Sequence, residues 1–203
     1  MKQYVTSDWH LGHEKSIKFD NRPFKDLFDM HRVLVANYNS TVRPEDICYF
    51  LGDIGFRNAG YDIIPKLNGK KICVLGNHDK GKSKMYEMGF DLVVNGVMTT
   101  IGKSIITMSH CPLRGVFRES NINQDGETMK NFRPFEMWHG ESRHDEYSFP
   151  DFGQDLHCHG HTHKRKGNEV RTYNQWDIGV VGNDYRPVSF SAIESYLAIR
   201  DKK

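Results

Sequence analysis

No long apolar run occurs in this chain. Its longest apolar stretches hold about five residues, far short of the roughly 20 needed to span a bilayer. Paired cysteines are also missing. The four that occur, Cys48, Cys73, Cys111 and Cys158, form no Cys-x-x-Cys unit, and two of them sit inside apolar runs. That pattern argues for reduced thiols in a cytoplasmic protein, not for a disulfide scaffold. Asp8 and His10 interrupt the first apolar segment, so no cleaved leader is expected there. Excess charge of either sign is lacking too: 28 Lys+Arg stand against 26 Asp+Glu, a net of +2. Such a balance provides no strong field for capturing nucleic acid or a membrane surface. There is no internal repeat and no low-complexity tract.

What is present is a chain of 203 residues, long enough to bury a core and expected to form a single domain, 1–203. Short apolar runs alternate with helix-like stretches. Strands are expected at residues 4–6, 46–51, 71–75, 92–94, 97–101, 104–108, 156–159 and 176–180. Gly102-Lys103 joins two of these as a hairpin. Residues 26–39 place Leu27, Met30, Leu34 and Tyr38 at helical spacing. Shorter helices are expected near 61–67 and 189–199. The alternation indicates an α/β architecture. Residues 114–155 are polar and lack periodicity. A loop of that length is uncommon inside a compact domain, so the segment reads as an insertion or lid.

Chemistry-bearing residues gather where the strands end. Asp8 and His10 are two apart on an extended segment and face one side. Asp53 follows a buried strand and a glycine, the place where open α/β sheets put their ligands. Gly76-Asn77-His78-Asp79 follows another strand. Asn77 supplies an amide oxygen, His78 can point at a substrate, and Asp79 can orient the His78 imidazole. His110 ends the next strand, and His161 and His163 follow Gly160. Each motif in isolation is ordinary turn chemistry. Five such motifs in order, each after an apolar run, make a ligand set for two divalent transition-metal ions. Imidazole suits Mn, Fe, Ni, Co and Zn. Four alternating histidines, His157 to His163, could also form a structural zinc site, but no cysteine pair accompanies them.

With these residues the chain resembles the calcineurin-like metallophosphoesterases, whose pattern is Asp-x-His, Gly-Asp, Gly-Asn-His-Asp/Glu, His and Gly-His-x-His. The match covers residues 8–163. It is similar in particular to small bacterial and phage-type phosphoesterases, through Ser7 to His13, Arg22 to Phe24 and Tyr185 to Ser189. The resemblance implies a sandwich of two mixed β-sheets flanked by helices, with the metal site in loops at one edge. It implies that Asp8, His10 and His163 hold one ion, and that Asn77, His110 and His161 hold the other. Asp53 would bridge them, and His78 would act on the leaving group. Manganese is the expected metal.

The implied reaction is hydrolysis of a phosphodiester or phosphomonoester by metal-activated water. Arg22 is a candidate phosphate contact, since guanidinium suits bidentate phosphate recognition. His13 and His159 are further candidates for substrate binding. Balanced charge favours a small, nucleotide-like substrate over a polymer. A nuclease reading draws on the basic and aromatic residues of 114–138. A non-catalytic scaffold of the same fold would be expected to have lost ligands, and none is missing. The sequence leaves the oligomeric state open.

Overall fold

A computed structural model of the protein describes residues 1–56, 58–113, 147–164 and 174–201. Among these residues two mixed β-sheets face each other. The first has five strands: β1 (Gln3–Thr6), β2 (Ile47–Phe50), β3 (Lys70–Val74), β4 (Leu92–Val94) and β9 (Val188–Ser189). Their order is β4-β3-β2-β1-β9, parallel except for β9. The second has four: β5 (Val97–Ile101), β6 (Ser104–Met108), β7 (Leu156–His159) and β8 (Gln175–Asp177). Strands β5 and β6 form the expected antiparallel hairpin, and β6, β7 and β8 run parallel.

Side-chain alternation divides the core into two layers. On one face of the first sheet, Tyr4, Cys48, Phe50, Cys73 and Val93 pack against helices. These are α2 (Leu27–Thr41), which contributes Met30, Leu34 and Tyr38, and α4 (Lys82–Met88), which contributes Met85 and Met88. On the other face, Val5, Tyr49, Leu51 and Val74 meet Ile106, Met108, Leu156, Cys158 and Trp176 of the second sheet. Helix α5 (Phe190–Arg200) closes that layer with Phe190, Ile193 and Leu197. Because successive residues of β1, β2 and β3 enter opposite layers, these strands read as unbroken apolar runs. All four cysteines are buried and free.

Several boundaries differ from the sequence reading. The helix expected at 61–67 is α3 (Ala59–Ile63) followed by a 3-10 turn, Ile64–Lys66. Pro65 lies in that turn and, lacking an N–H, does not extend the α-helix. Helix α1 (Glu14–Phe19) occupies the short helix-compatible span before Arg22, and α4 lies in a stretch that reads as polar. The basic run at Lys80, Lys82 and Lys84 partly forms the first turn of α4. Strand β8 stops at Asp177, three residues before the expected end. Most of the expected insertion, 114–146, falls outside the described residues. Among the described residues no helix is long and apolar enough to cross a membrane.

Candidate metal centre

The loops that leave β1, β2, β3, β6 and β7 converge at one edge of the sandwich. There the backbone adopts conformations that side chains seldom favour. Asp8 (φ 59°), His10 (φ 51°), Asp53 (φ 54°), His161 (φ 67°) and His163 (φ 48°) all lie in the left-handed region. Non-glycine residues there are uncommon, and they persist where surrounding structure over-determines them. Here the determinants are cross-loop hydrogen bonds. His10 N–H donates to the Asp53 carbonyl at 3.0 Å, and Asp8 N–H donates to the Gly52 carbonyl at 3.2 Å. His161 N–H donates to the Asp8 carboxylate at 3.1 Å. Glycines permit the close approach. A Cβ on Gly52 would stand 2.5 Å from the Gly76 Cα, and one on Gly160 would collide with Ser7 Oγ and the Asp8 carboxylate.

Two ligand-like clusters result. In the first, one donor atom from each of Asp8, His10, Asp53 and His163 lies within 4.8 Å of the others. His10 Nε2 and His163 Nε2 face each other at 3.0 Å. In the second, His110 Nε2 lies 2.8 Å from Asn77 Oδ1, and His161 Nδ1 lies 3.1 Å from the same oxygen and 3.2 Å from His110 Nε2. Asp53 stands between the two. Its Oδ2 is 3.7 Å from His10 Nε2, and its Oδ1 is 3.5 Å from His110 Nε2.

The donor chemistry fits a cation. His110 Nδ1–H donates to the Leu51 carbonyl at 2.7 Å, so a neutral His110 turns the bare lone pair of Nε2 toward the acceptor oxygen of Asn77. A proton or a cation among these three atoms satisfies their lone pairs, and imidazole nitrogens with an amide oxygen are donors that divalent transition metals take. Burial pushes the His10 imidazole down to about 4 against the pull of Asp53 and Asp8, which keeps it neutral and able to ligate. Burial also opposes charge on His110 and His163, but nearby carboxylates prevail. Asp53 and Asp8 raise His110, while Asp20 and Asp8 raise His163 to about 10. Burial would raise the Asp8 carboxyl. The His163 hydrogen bond and the surrounding imidazoles instead hold it well below the usual carboxylate range.

A model of the calcineurin-like phosphoesterase family matches residues 1–165. The chain belongs to the calcineurin-like phosphoesterase family. A protein of unknown function from Aquifex aeolicus has a similar solved structure, with TM-score 0.67, 27% identity and coverage of 96% of this chain and 98% of that one. An uncharacterized protein from Methanocaldococcus jannaschii is 40% identical over 83 residues, 39% of this chain. The match spans about half the length of that relative, 47%. The two mixed sheets with flanking helices are those of a metallophosphoesterase, and the ligand-like clusters lie where the family motifs fall.

Of the expected side chains His78, Asp79, Arg22 and His159, the last three stand elsewhere than the sequence suggests. His78 is exposed at the mouth of the clusters, its ring centroid 6.2 Å from that of His10. Asp79 does not orient the His78 ring. Its carboxylate accepts from the backbone N–H groups of Asp53, Ile54 and Gly76 at 3.1, 3.0 and 2.8 Å, riveting two ligand loops together. Burial and the neighbouring Asp53 charge push its carboxyl up to about 6. Arg22 is not placed to touch a substrate. Its side chain is 0% exposed and donates to the carbonyls of Trp9 and Asp8 at 3.0 and 3.1 Å. It also donates to the Asp20 carboxylate at 2.9 and 2.8 Å and to Met30 Sδ at 3.7 Å. His159 is likewise sealed from solvent. Its ring stacks on His157 with centroids 5.9 Å apart, and its Nδ1 donates to the Gly160 carbonyl at 2.8 Å.

His13, the remaining expected contact, lies at the mouth and stacks on Phe56 at 4.6 Å. Three contributing residues escaped the sequence reading. Asp20 accepts from His163 Nδ1–H at 2.9 Å. Asp177 accepts from the Thr162 hydroxyl and from Lys164 N–H, fixing the loop that carries His161 and His163. Cys111 groups with His110 and His161, its thiol pushed up to about 12 by burial and by the Asp53 and Asp8 charges. No spacing rule ties Asp20, Asp177 or Cys111 to the ligands they stand beside.

Proposed function

We propose that the protein is a phosphoesterase with a dinuclear centre that hydrolyses phosphate esters of small, nucleotide-like molecules. The observation that carries this reading is the Asp53 carboxylate, whose two oxygens face opposite clusters of nitrogen and oxygen donors. Asp8, His10, Asp53 and His163 would hold one cation, and Asp53, Asn77, His110 and His161 the other. The carboxylate and amide oxygens suit manganese, and the imidazoles also suit iron, nickel and zinc; manganese is the ion proposed. When bound, such cations supply Lewis acidity toward phosphoryl oxygens and lower the pKa of water into the neutral range.

The chain's own residues do the rest. His78 stands outside both clusters and is exposed, and it would give a proton to the departing ester oxygen. Its backbone N–H donates to Asp53 Oδ1 at 3.1 Å, which ties its position to the bridging carboxylate. Asp79 fixes the same turn from below through its three backbone bonds. At the mouth Phe56 is 40% exposed and lies 6.3 Å from the His78 ring. With His13 stacked behind it, Phe56 offers an apolar face for a planar group such as a nucleobase.

A screen of protein reconstituted with Mn²⁺ tests this reading. Bis-p-nitrophenyl phosphate and p-nitrophenyl phosphate separate diesterase from monoesterase activity, and cyclic nucleotides and labelled oligonucleotides follow. Turnover of small esters with weak salt dependence is expected. Activity on oligonucleotides alone, falling steeply with salt, would replace this reading with a nuclease. No turnover of any ester would refute it.

A further inference from the structure

We propose that Asp20 is a positioning residue that commits His163 to one tautomer and makes the Asp8, His10, Asp53 and His163 cluster the tighter of two cation sites. The inference rests on the dinuclear reading above. Asp20 caps the C-terminus of α1, and the chain then turns through Asn21 at φ 51°. That turn folds Arg22 back under the first ligand loop. One carboxylate oxygen of Asp20 accepts both Arg22 bonds, and the other accepts from His163 Nδ1–H at 2.9 Å. Arg22 in turn donates to the backbone carbonyls of Asp8 and Trp9. A continuous frame therefore links the backbone of one ligand, Asp8, to the ring of another, His163, whose Nε2 lies 3.5 Å from the Asp8 carboxylate.

With one proton held on Nδ1 by Asp20, His163 has Nε2 as the atom it can offer to a cation. The second cluster is built differently. There the His110 Nδ1–H is held by a neutral backbone carbonyl, that of Leu51, at 2.7 Å. A carboxylate partner makes an imidazole a stronger donor than a carbonyl partner does, and such outer contacts are worth about 10–100-fold in metal affinity. The first cluster also holds Asp8 and Asp53, whereas the second pairs Asp53 with the neutral Asn77 amide. Both differences favour the first.

Asp20→Asn separates positioning from support. Guanidinium only donates, so the new amide must give Arg22 its oxygen. Its NH₂ then faces His163 and requires Nδ1 as an acceptor, which moves the ring proton to Nε2 and blocks the lone pair. The volume and the Arg22 contact are kept. Mn²⁺ titration of the full chain by calorimetry, beside thermal melting of the metal-free protein, reads the result. Wild type should take up two ions in unequal steps. D20N should weaken the tighter step about 10–100-fold, leave the weaker step unchanged and melt as a folded domain. D20E should recover part of the loss. A folded D20N with both steps as in wild type, or with both weakened equally, overturns the proposal. Should D20N not fold, Asp20→Ser, which also removes the carboxylate, takes its place: an unaltered tight step in folded D20S overturns the proposal, and selective weakening of that step supports it. A wild-type chain that binds no Mn²⁺ would instead overturn the dinuclear reading.

Discussion

His78 and Asp79 are adjacent in the chain and opposite in role. One residue is exposed, and the side chain of the other is locked by three backbone N–H groups. Replacing His78 by Ala should therefore leave metal content unchanged and reduce turnover about 10²–10⁴-fold. Elemental analysis and steady-state kinetics on one preparation check this, and near-wild-type turnover would remove His78 from the mechanism. Arg22 and His159 carry a related lesson. Sequence identifies the residue type and its nearness to a motif, but not its direction. Guanidinium recognises phosphate, yet it also satisfies buried carbonyls, and Arg22 is committed to those of Asp8 and Trp9. His159 alternates with Cys158 along β7, so one of them must face the inter-sheet core. That place falls to Cys158, and His159 stacks on His157 instead.

At the scale of elements, the ligand loops are fixed by close backbone contact. Gly160→Ala would drive a Cβ into Ser7 Oγ and the Asp8 carboxylate. Loss of Mn²⁺ uptake is expected, and calorimetric titration measures it; unaltered uptake would show that the loop yields at no cost. Strands β6 and β7 carry a second consequence. Thr107 pairs with His157 in register, and the His157 ring is bonded to the Thr107 and Ser109 hydroxyls and to the Cys111 carbonyl. Burial, with some help from His159, pushes this imidazole down to about 3 from its ordinary 6.5. The unfolded chain therefore binds the extra proton first as pH falls below about 6.5. Stability from the neutral ring is complete above that value and is lost on acidification toward pH 3, by about 2 kcal/mol between pH 6.5 and pH 5. Urea unfolding of wild type and His157→Gln at the two pH values should show a smaller acid loss in the variant. Equal losses would mean that His157 is not the group that titrates.

Over the whole molecule, the apolar runs and their terminal motifs were readable because alternation into two core layers leaves strands that are apolar on both faces. The two-sheet sandwich and the family followed from those motifs. The short span before Arg22 is helix-compatible in sequence and forms α1, whereas α4 was not readable, because it is short, largely solvent-facing and begins in a lysine run. Strand β9 was hidden by its length of two residues. Asp20 and Asp177 were hidden for another reason: a carboxylate that supports a ligand has no spacing rule relative to it, and Asp20 meets His163 across 143 positions. What unites the distant segments is the bridging position of Asp53. The most direct measurement is metal content and bis-p-nitrophenyl phosphate hydrolysis in wild type and Asp53→Ala. Two Mn²⁺ per wild-type chain are expected, with metal and turnover lost together in the variant. A fully loaded Asp53→Ala protein, or wild-type turnover that survives complete chelation, would contradict a carboxylate-bridged dinuclear centre.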